Sequence, residues 1–326
     1  MLSAEQIYAL KRLRGIRPEM ILSLGRLLDS RLDDVELANR IEQIHWTYLN
    51  DNNERASLTK AVFLHSLEVA KKTLAEYRTK GIHYFTCYER KGLNIINNKG
   101  VLRTPPLIMY YQGDSHLLDT PIITIIGSRA VLDKPREMGY KIAQYFAEKG
   151  VTVLSGLALG SDTCAHEGAL SVPNGKTIAV VGNGLDCPYP KENKNLYKRI
   201  IERGGLILTE YEPGTEVTGR QLIARDFIQA ALGQATIVIQ CAIDGGTRNA
   251  SEATVLAHKP LFVLRFGEAK IDDDPALAGG HDLVSRYGAQ YLDTNNKEKL
   301  TRELSKIHKI IFDDTYKESL CKNIAV

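Results

Sequence analysis

From Pro121 onward, short runs of β-branched and aliphatic residues alternate with segments of helical periodicity, and this alternation restricts the fold more than any other feature. Ile122–Ile126, Val151–Leu154, Thr177–Val181, Leu206–Thr209, Ala235–Ile239 and Pro260–Leu264 read as strands, the last of them closing the series. Between them Arg136–Lys149, Asp162–Leu170, Asn195–Glu202, Ile223–Leu232 and Ala250–Ala257 read as helices. Links this short join parallel strands through right-handed crossovers. Strands so uniformly apolar are buried on both faces. The expected class is α/β, a doubly wound and mostly parallel sheet.

The first 80 residues follow a different rule. Leu2, Ile7, Leu10 and Leu13, then Met20, Ile21, Leu24 and Leu27, recur at helical spacing, and Ser3 with Gln6 fits a capping box. We expect a small helical N-terminal domain over 1–80, a connector with short strands over 81–120, a core over 121–295 and a helical tail over 296–326. Within the connector, Asn97-Asn98 and Lys99-Gly100 are turn pairs, and Tyr110-Tyr111 is an aromatic patch that either packs in a core or stacks on bases.

Composition narrows the class. The five cysteines are scattered without a C-x-x-C pair, and Cys164 with His166 makes only two candidate ligands, so neither a disulfide scaffold nor a metal site is expected. No apolar run has the length of a membrane span, and the N-terminus lacks a signal-peptide pattern, which points to the cytoplasm. The net charge is +3, and residues 121–326 carry as many acidic as basic side chains. A nucleic-acid site on the core must then be a local cluster rather than a basic face.

In an open parallel sheet, ligands bind beyond the carboxyl ends of the strands, where helix N-termini offer unpaired amides. Four glycine-bearing loops are expected there. Gly127-Ser128-Arg129 follows the first strand, with a forked cation suited to phosphate. Ser155-Gly156 opens the loop running to Asp162, Gly182-Asn183-Gly184 follows the third strand, and Gly245-Gly246-Thr247 precedes a helix. Asp162 and His166 share a helix face; Asp162 reads as a helix cap and His166 as a packed residue hydrogen-bonded beneath the loop. Neither a dinucleotide G-x-G-x-x-G fingerprint nor a nucleoside-triphosphate P-loop is present, and no cofactor is expected.

The run SGLALGSDTCAHEGAL (Ser155–Leu170), joined by Gly127-Ser128-Arg129, KTIAVVGNGLDCPYPKEN (Lys176–Asn193), Thr209-Glu210 with Pro213-Gly214-Thr215, and PLIMYYQG (Pro106–Gly113), resembles the signature blocks of the DNA-processing protein A (DprA/Smf) family. That resemblance implies a Rossmann-like core and a non-catalytic cytoplasmic homodimer. It would bind single-stranded DNA and load a RecA-type recombinase during natural transformation and recombination. It also implies phosphate contacts from Arg129, the amides at Ser155-Gly156, Gly184, Arg225 and the Gly245-Gly246-Thr247 turn, with Arg248 as a further cation. The family's R-N-R block is here Arg225-Asp226-Phe227, with an acid in place of the asparagine and an aromatic in place of the second arginine.

A second resemblance stands beside the first. Gly245-Gly246 followed by Glu252 is similar to the P-G-G-x-G-T-x-x-E motif of phosphoribohydrolases. With Arg225 as partner, Glu252 would act on a glycosidic bond. The alternative is thus a phosphoribohydrolase-like enzyme, or a nucleotide-binding sensor of the kind found in phage defence.

Overall fold

The computed structural model describes residues 1–28, 32–43, 59–89 and 105–313, and the chain divides into two units. The turn pairs at 97–100 and the tail beyond residue 313 lie outside the described residues. The first unit, Met1–Leu93 with Thr104–Tyr110, holds α1 (Ala4–Lys11), α2 (Pro18–Leu27), α3 (Asp34–Gln43), α4 (Lys60–Thr79), β1 (His83–Thr86) and the start of β2 (Ile108–Gly113).

The capping box forms as its spacing suggests: the Gln6 amide N–H donates to Ser3 Oγ at 3.1 Å, and Ser3 N–H donates to Gln6 Oε1 at 3.0 Å. Gln6 Nε2 also donates to the Leu32 carbonyl and to Asp34 Oδ1, tying α1 to the start of α3. Along α4 the buried residues Phe63, Leu67, Ala70 and Leu74 recur every third or fourth position, the stripe of a helix packed on one side. Tyr110 is fully buried and meets Tyr77 edge-on at 6.0 Å, so this ring packs in a core.

The second unit follows the alternation in the sequence. It contains β3 (Ile122–Ile126), α5 (Asp133–Glu148), β4 (Thr152–Ser155), α6 (Ser161–Leu170), β5 (Thr177–Val180), α7 (Lys194–Glu202), β6 (Leu206–Thr209), α8 (Gly219–Leu232), β7 (Ala235–Val238), α9 (Thr247–Leu256), β8 (Leu261–Arg265), α10 (Ala269–Asp272), α11 (Ala278–Tyr287), β9 (Gln290–Asp293) and α12 (Lys297–Phe312). Its seven strands lie in the order β6-β5-β4-β3-β7-β8-β9, every pair parallel. The fold is mixed α/β and Rossmann-like. The sheet does not end at the strand read over Pro260–Leu264. It continues to β9, where Val263 pairs with Tyr291.

Alternate residues of β3 feed two cores. Ile123 and Ile125 pack with Ile142 and Phe146 of α5 and with Leu304 and Ile307 of α12. Ile126 and Val238 pack with Ala250 of α9 and Leu283 of α11. Helices therefore cover both faces, which is why the strands read as unbroken apolar runs. The chain starts at β3, steps outward through β4 to β6, then returns to place β7 against the other side of β3. A crevice opens where the winding reverses, beyond the carboxyl ends of β3 and β7.

Candidate functional site

A cavity of about 510 Å³ occupies that crevice. Its lining includes Gly127, Ser128 and Arg129 after β3, Gly245, Gly246 and Thr247 at the start of α9, and Leu222, Arg225, Asp226 and Gln229 of α8. The loop after β3 is bound to the strand beside it. Ser128 donates to the Gln240 carbonyl from its backbone N–H (2.9 Å) and from its hydroxyl (3.2 Å). The buried Gln240 amide accepts from Leu132 N–H and donates to the Ala130 carbonyl, both at 2.9 Å. Residues on both sides of Arg129 are thereby fixed while Arg129 itself is exposed. Among the described residues Arg129 makes no ion pair.

Gly127 has no room for a side chain: a Cβ there would lie 2.4 Å from Ser161 Oγ. Across the cavity, α9 begins without a side-chain cap. Arg248 N–H and Asn249 N–H turn back to the Gly245 and Gly246 carbonyls and Gly245 N–H donates to the Ala242 carbonyl, which leaves the N–H groups of Gly246 and Thr247 at a helix start that favours anions.

Beneath the opening lies a buried polar cluster. Arg225 sits between two carboxylates, its Nη2 3.6 Å from Asp162 Oδ2 and its Nε 3.3 Å from Asp226 Oδ1. The Nε contact lacks hydrogen-bond geometry. Gly156 makes this possible, since a Cβ at that position would stand 1.3 Å from Arg225 Nη1. Burial pushes the Asp162 carboxyl up against the opposing pull of Arg225 and the loop amides. Burial likewise raises Asp226, to about 6, with Asp162 adding to the rise and Arg225 and Arg129 opposing it.

His166 is buried under the same loop. Its Nε2 accepts from Leu157 N–H at 3.3 Å, and its Nδ1 lies 2.7 Å from Thr177 Oγ1, which itself donates to the Val153 carbonyl. That network selects the neutral ring protonated on Nδ1, and burial, aided by Arg225, lowers its pKa to about 3. Asp162 is not the helix cap that its position suggests. Gly160 caps α6 with φ +76°, and Asp162, one position inside Ser161, reaches back to accept from Ala158 N–H at 3.2 Å.

The structure thus brings Gly127, Ser128, Arg129, Arg225, Gly245, Gly246 and Thr247 around one cavity and leaves five sequence-selected positions, Ser155, Gly156, Gly184, Arg248 and Glu252, off its lining. Ser155 is buried, its hydroxyl donating to the Ile125 carbonyl at 2.7 Å, and Gly156 serves as the slot for Arg225. Gly184 turns toward the Thr215 loop, donating to the Thr215 carbonyl at 2.8 Å. Arg248 points into an ion-pair network: Nε to Glu252 Oε1 at 2.7 Å, Nη1 to Asp282 Oδ2 at 3.4 Å and Nη2 to the Tyr287 hydroxyl at 3.0 Å. Glu252 belongs to that network, also accepting from Tyr287, and does not line the cavity with Arg225. Sequence reasoning passed over Leu222, Gln229 and Asp226 as lining residues. Their four- and three-residue spacing is the signal that would have placed them on one face of α8.

Phe227, where the family block has its second arginine, packs with Ala230, Ala253 and Ala257 away from the cavity. Asp226, the other departure, lines it. Among the described residues no helix is long and apolar enough to cross a membrane.

The model of DNA recombination-mediator protein A matches residues 95–305. The chain belongs to this family. It is 37% identical over 204 residues to protein Smf of Synechocystis sp., covering 61% of this chain and 48% of the relative. To the DNA processing protein DprA of Streptococcus pneumoniae it is 36% identical over 159 residues, covering 49% and 55%. The chain spans about half the length of these curated relatives. The crystal structure of DprA from Streptococcus pneumoniae superimposes with a TM-score of 0.69 at 26% identity, over 93% of this chain and 98% of that one. DprA of Helicobacter pylori, whose structure is described in terms of a unique single-stranded DNA binding mode, superimposes with a TM-score of 0.59 at 27% identity, over 70% and 96%.

Proposed function

We propose that the cavity between β3 and β7 binds single-stranded DNA, and that the chain acts in DNA uptake and recombination as a homodimer in the cytoplasm. In this reading it presents the strand to a RecA-type recombinase and performs no catalysis. The observation that carries the reading is the pairing of the exposed Arg129 with the uncapped start of α9 around one open cavity. A cation and a set of unpaired amides form a site for a phosphate. Family membership and the strand-binding mode described for the Helicobacter pylori relative support the same ligand.

The departure at Phe227 costs the cavity nothing, because that side chain packs on the other side of α8. The test is an anisotropy titration with labelled oligo-dT at several salt concentrations. Binding should weaken as salt rises, through counterion release. Absence of salt-sensitive binding at micromolar protein overturns the reading.

A further inference from the structure

The face of α8 turned to the cavity carries Leu222, Asp226 and Gln229, so an apolar side chain, a carboxylate and an amide line one wall. Gln229 has no exposed surface, and neither Oε1 nor Nε2 has a partner among the described residues. Buried polar atoms are normally hydrogen-bonded, so this amide is suited to a partner that reaches it from the cavity. The wall also presents carboxylate rather than a free cation, since Asp162 and Asp226 both contact Arg225 and engage its charge. Phosphate is therefore disfavoured beside these carboxylates and drawn to Arg129 and the start of α9, which line the same cavity. A nucleotide has one favourable orientation here, with its base toward α8.

What the wall offers a base is the two carboxylate oxygens of Asp226, which accept, and the Gln229 amide, whose Nε2 donates and whose Oε1 accepts. Guanine has two adjacent donors on its Watson–Crick edge, N1–H and the N2 amino group, beside the acceptor O6. Thymine has one donor between two acceptors, cytosine one donor beside two acceptors, and adenine one donor beside one acceptor. Guanine alone engages both carboxylate oxygens and leaves O6 for the amide. We propose that Asp226, with Gln229, makes this cavity selective for guanine in a single strand. The inference rests on the strand-binding reading above and adds a base preference to it.

Anisotropy titrations with oligo-dT, an alternating d(GT) strand of equal length and its d(IT) counterpart, all at one salt concentration, test it. The d(GT) strand should bind more tightly than oligo-dT by about fivefold to 150-fold, the range of a bidentate base contact. Hypoxanthine, which lacks the N2 amino group, should lose most of that gain, and Asp226→Asn should bring the three strands together. Equal binding of d(GT) and oligo-dT, full retention of the gain by d(IT), or an undiminished preference in Asp226→Asn overturns the inference while strand binding stands. Failure of every strand to bind overturns both. The hypoxanthine comparison uses the native chain and so does not depend on the folding of a variant.

Discussion

Arg129 and Arg248 stand near the same edge of the sheet, each close to a helix start, and the structure gives them opposite employment. Arg129 is exposed and, among the described residues, without an ion pair, on a loop clamped from both sides by Gln240. Arg248 is held by Glu252 one helical turn on, by Asp282 and by Tyr287, whose ring lies 5.7 Å from the guanidinium carbon. A cation near a helix N-terminus serves a ligand only when its own neighbours leave it free. For Arg248 the acid one helical turn on acts together with Asp282 and Tyr287 to occupy the guanidinium. Arg225 is the intermediate case, facing the cavity but buried between two carboxylates.

The comparison breaks most severely at Gly156. Alanine there drives the Arg225 guanidinium from its slot and leaves Asp162 buried without its cation. We expect a loss of about 3 kcal/mol or more in denaturant unfolding, the scale of a broken buried ion pair, together with loss of oligonucleotide binding. A near-native midpoint would show that Arg225 does not depend on this glycine.

Asp226→Asn probes the same cluster by charge. Burial holds Asp226 at about 6, above the ordinary carboxylate value, so the folded chain binds that proton more tightly than the unfolded one. The stabilisation is complete below about pH 4 and is lost as pH rises through about 6. His166 acts in the opposite direction: depressed to about 3, it adds stability as pH rises toward its ordinary value. The difference between Asp226→Asn and the native chain isolates Asp226 against Arg225, Asp162 and Arg129, the charges around it. The variant should gain on the native chain between pH 4 and 6, reaching on the order of 1–3 kcal/mol at neutral pH. A flat difference across that window contradicts the account.

Gly246→Ala separates binding from folding. Gly246 has a helical φ of −58° and open space at its Cβ position, so alanine should stabilise the chain by about 0.4–1 kcal/mol. The added methyl group stands where a phosphate would approach the α9 amides. Oligonucleotide affinity should fall several-fold while the melting temperature rises, and unchanged affinity would move the phosphate elsewhere. The smallest effect belongs to Arg248→Ala, which removes a surface network. It should change affinity by less than about twofold, measured in the same titration.

The reach of the sequence varied with burial. β3 to β8 were legible because strands covered on both faces are written as continuous aliphatic runs. β9 was not, because Gln290 is exposed and Tyr291 and Asp293 are partly so, which leaves one buried residue in four. α11 was not read from the sequence, because Gly279 and Gly280 in its first turn weaken the helical signal. In the fold Gly279 packs against the Ala242 carbonyl, where a Cβ would meet oxygen at 2.4 Å.

At the site, the glycine turns after β3 and before α9 could be read because strand ends and helix starts have local signatures. The fates of Gly184 and Arg248 could not. They depend on the Thr215 loop and on α11, partners distant in sequence that only the folded chain brings near. Asp226 read as a blemish in a family block, and its place beside Arg225 in the cavity gives it a role of its own.

The most direct test measures the salt dependence of oligo-dT binding for the native chain, Arg129→Ala and Arg248→Ala side by side. Phosphate contact by Arg129 predicts roughly tenfold weaker binding for Arg129→Ala and a log–log salt slope reduced by about one, with the Arg248→Ala line lying on the native one. A native slope for Arg129→Ala, or a slope lost in Arg248→Ala instead, would contradict the assignment of the phosphate to the β3 loop.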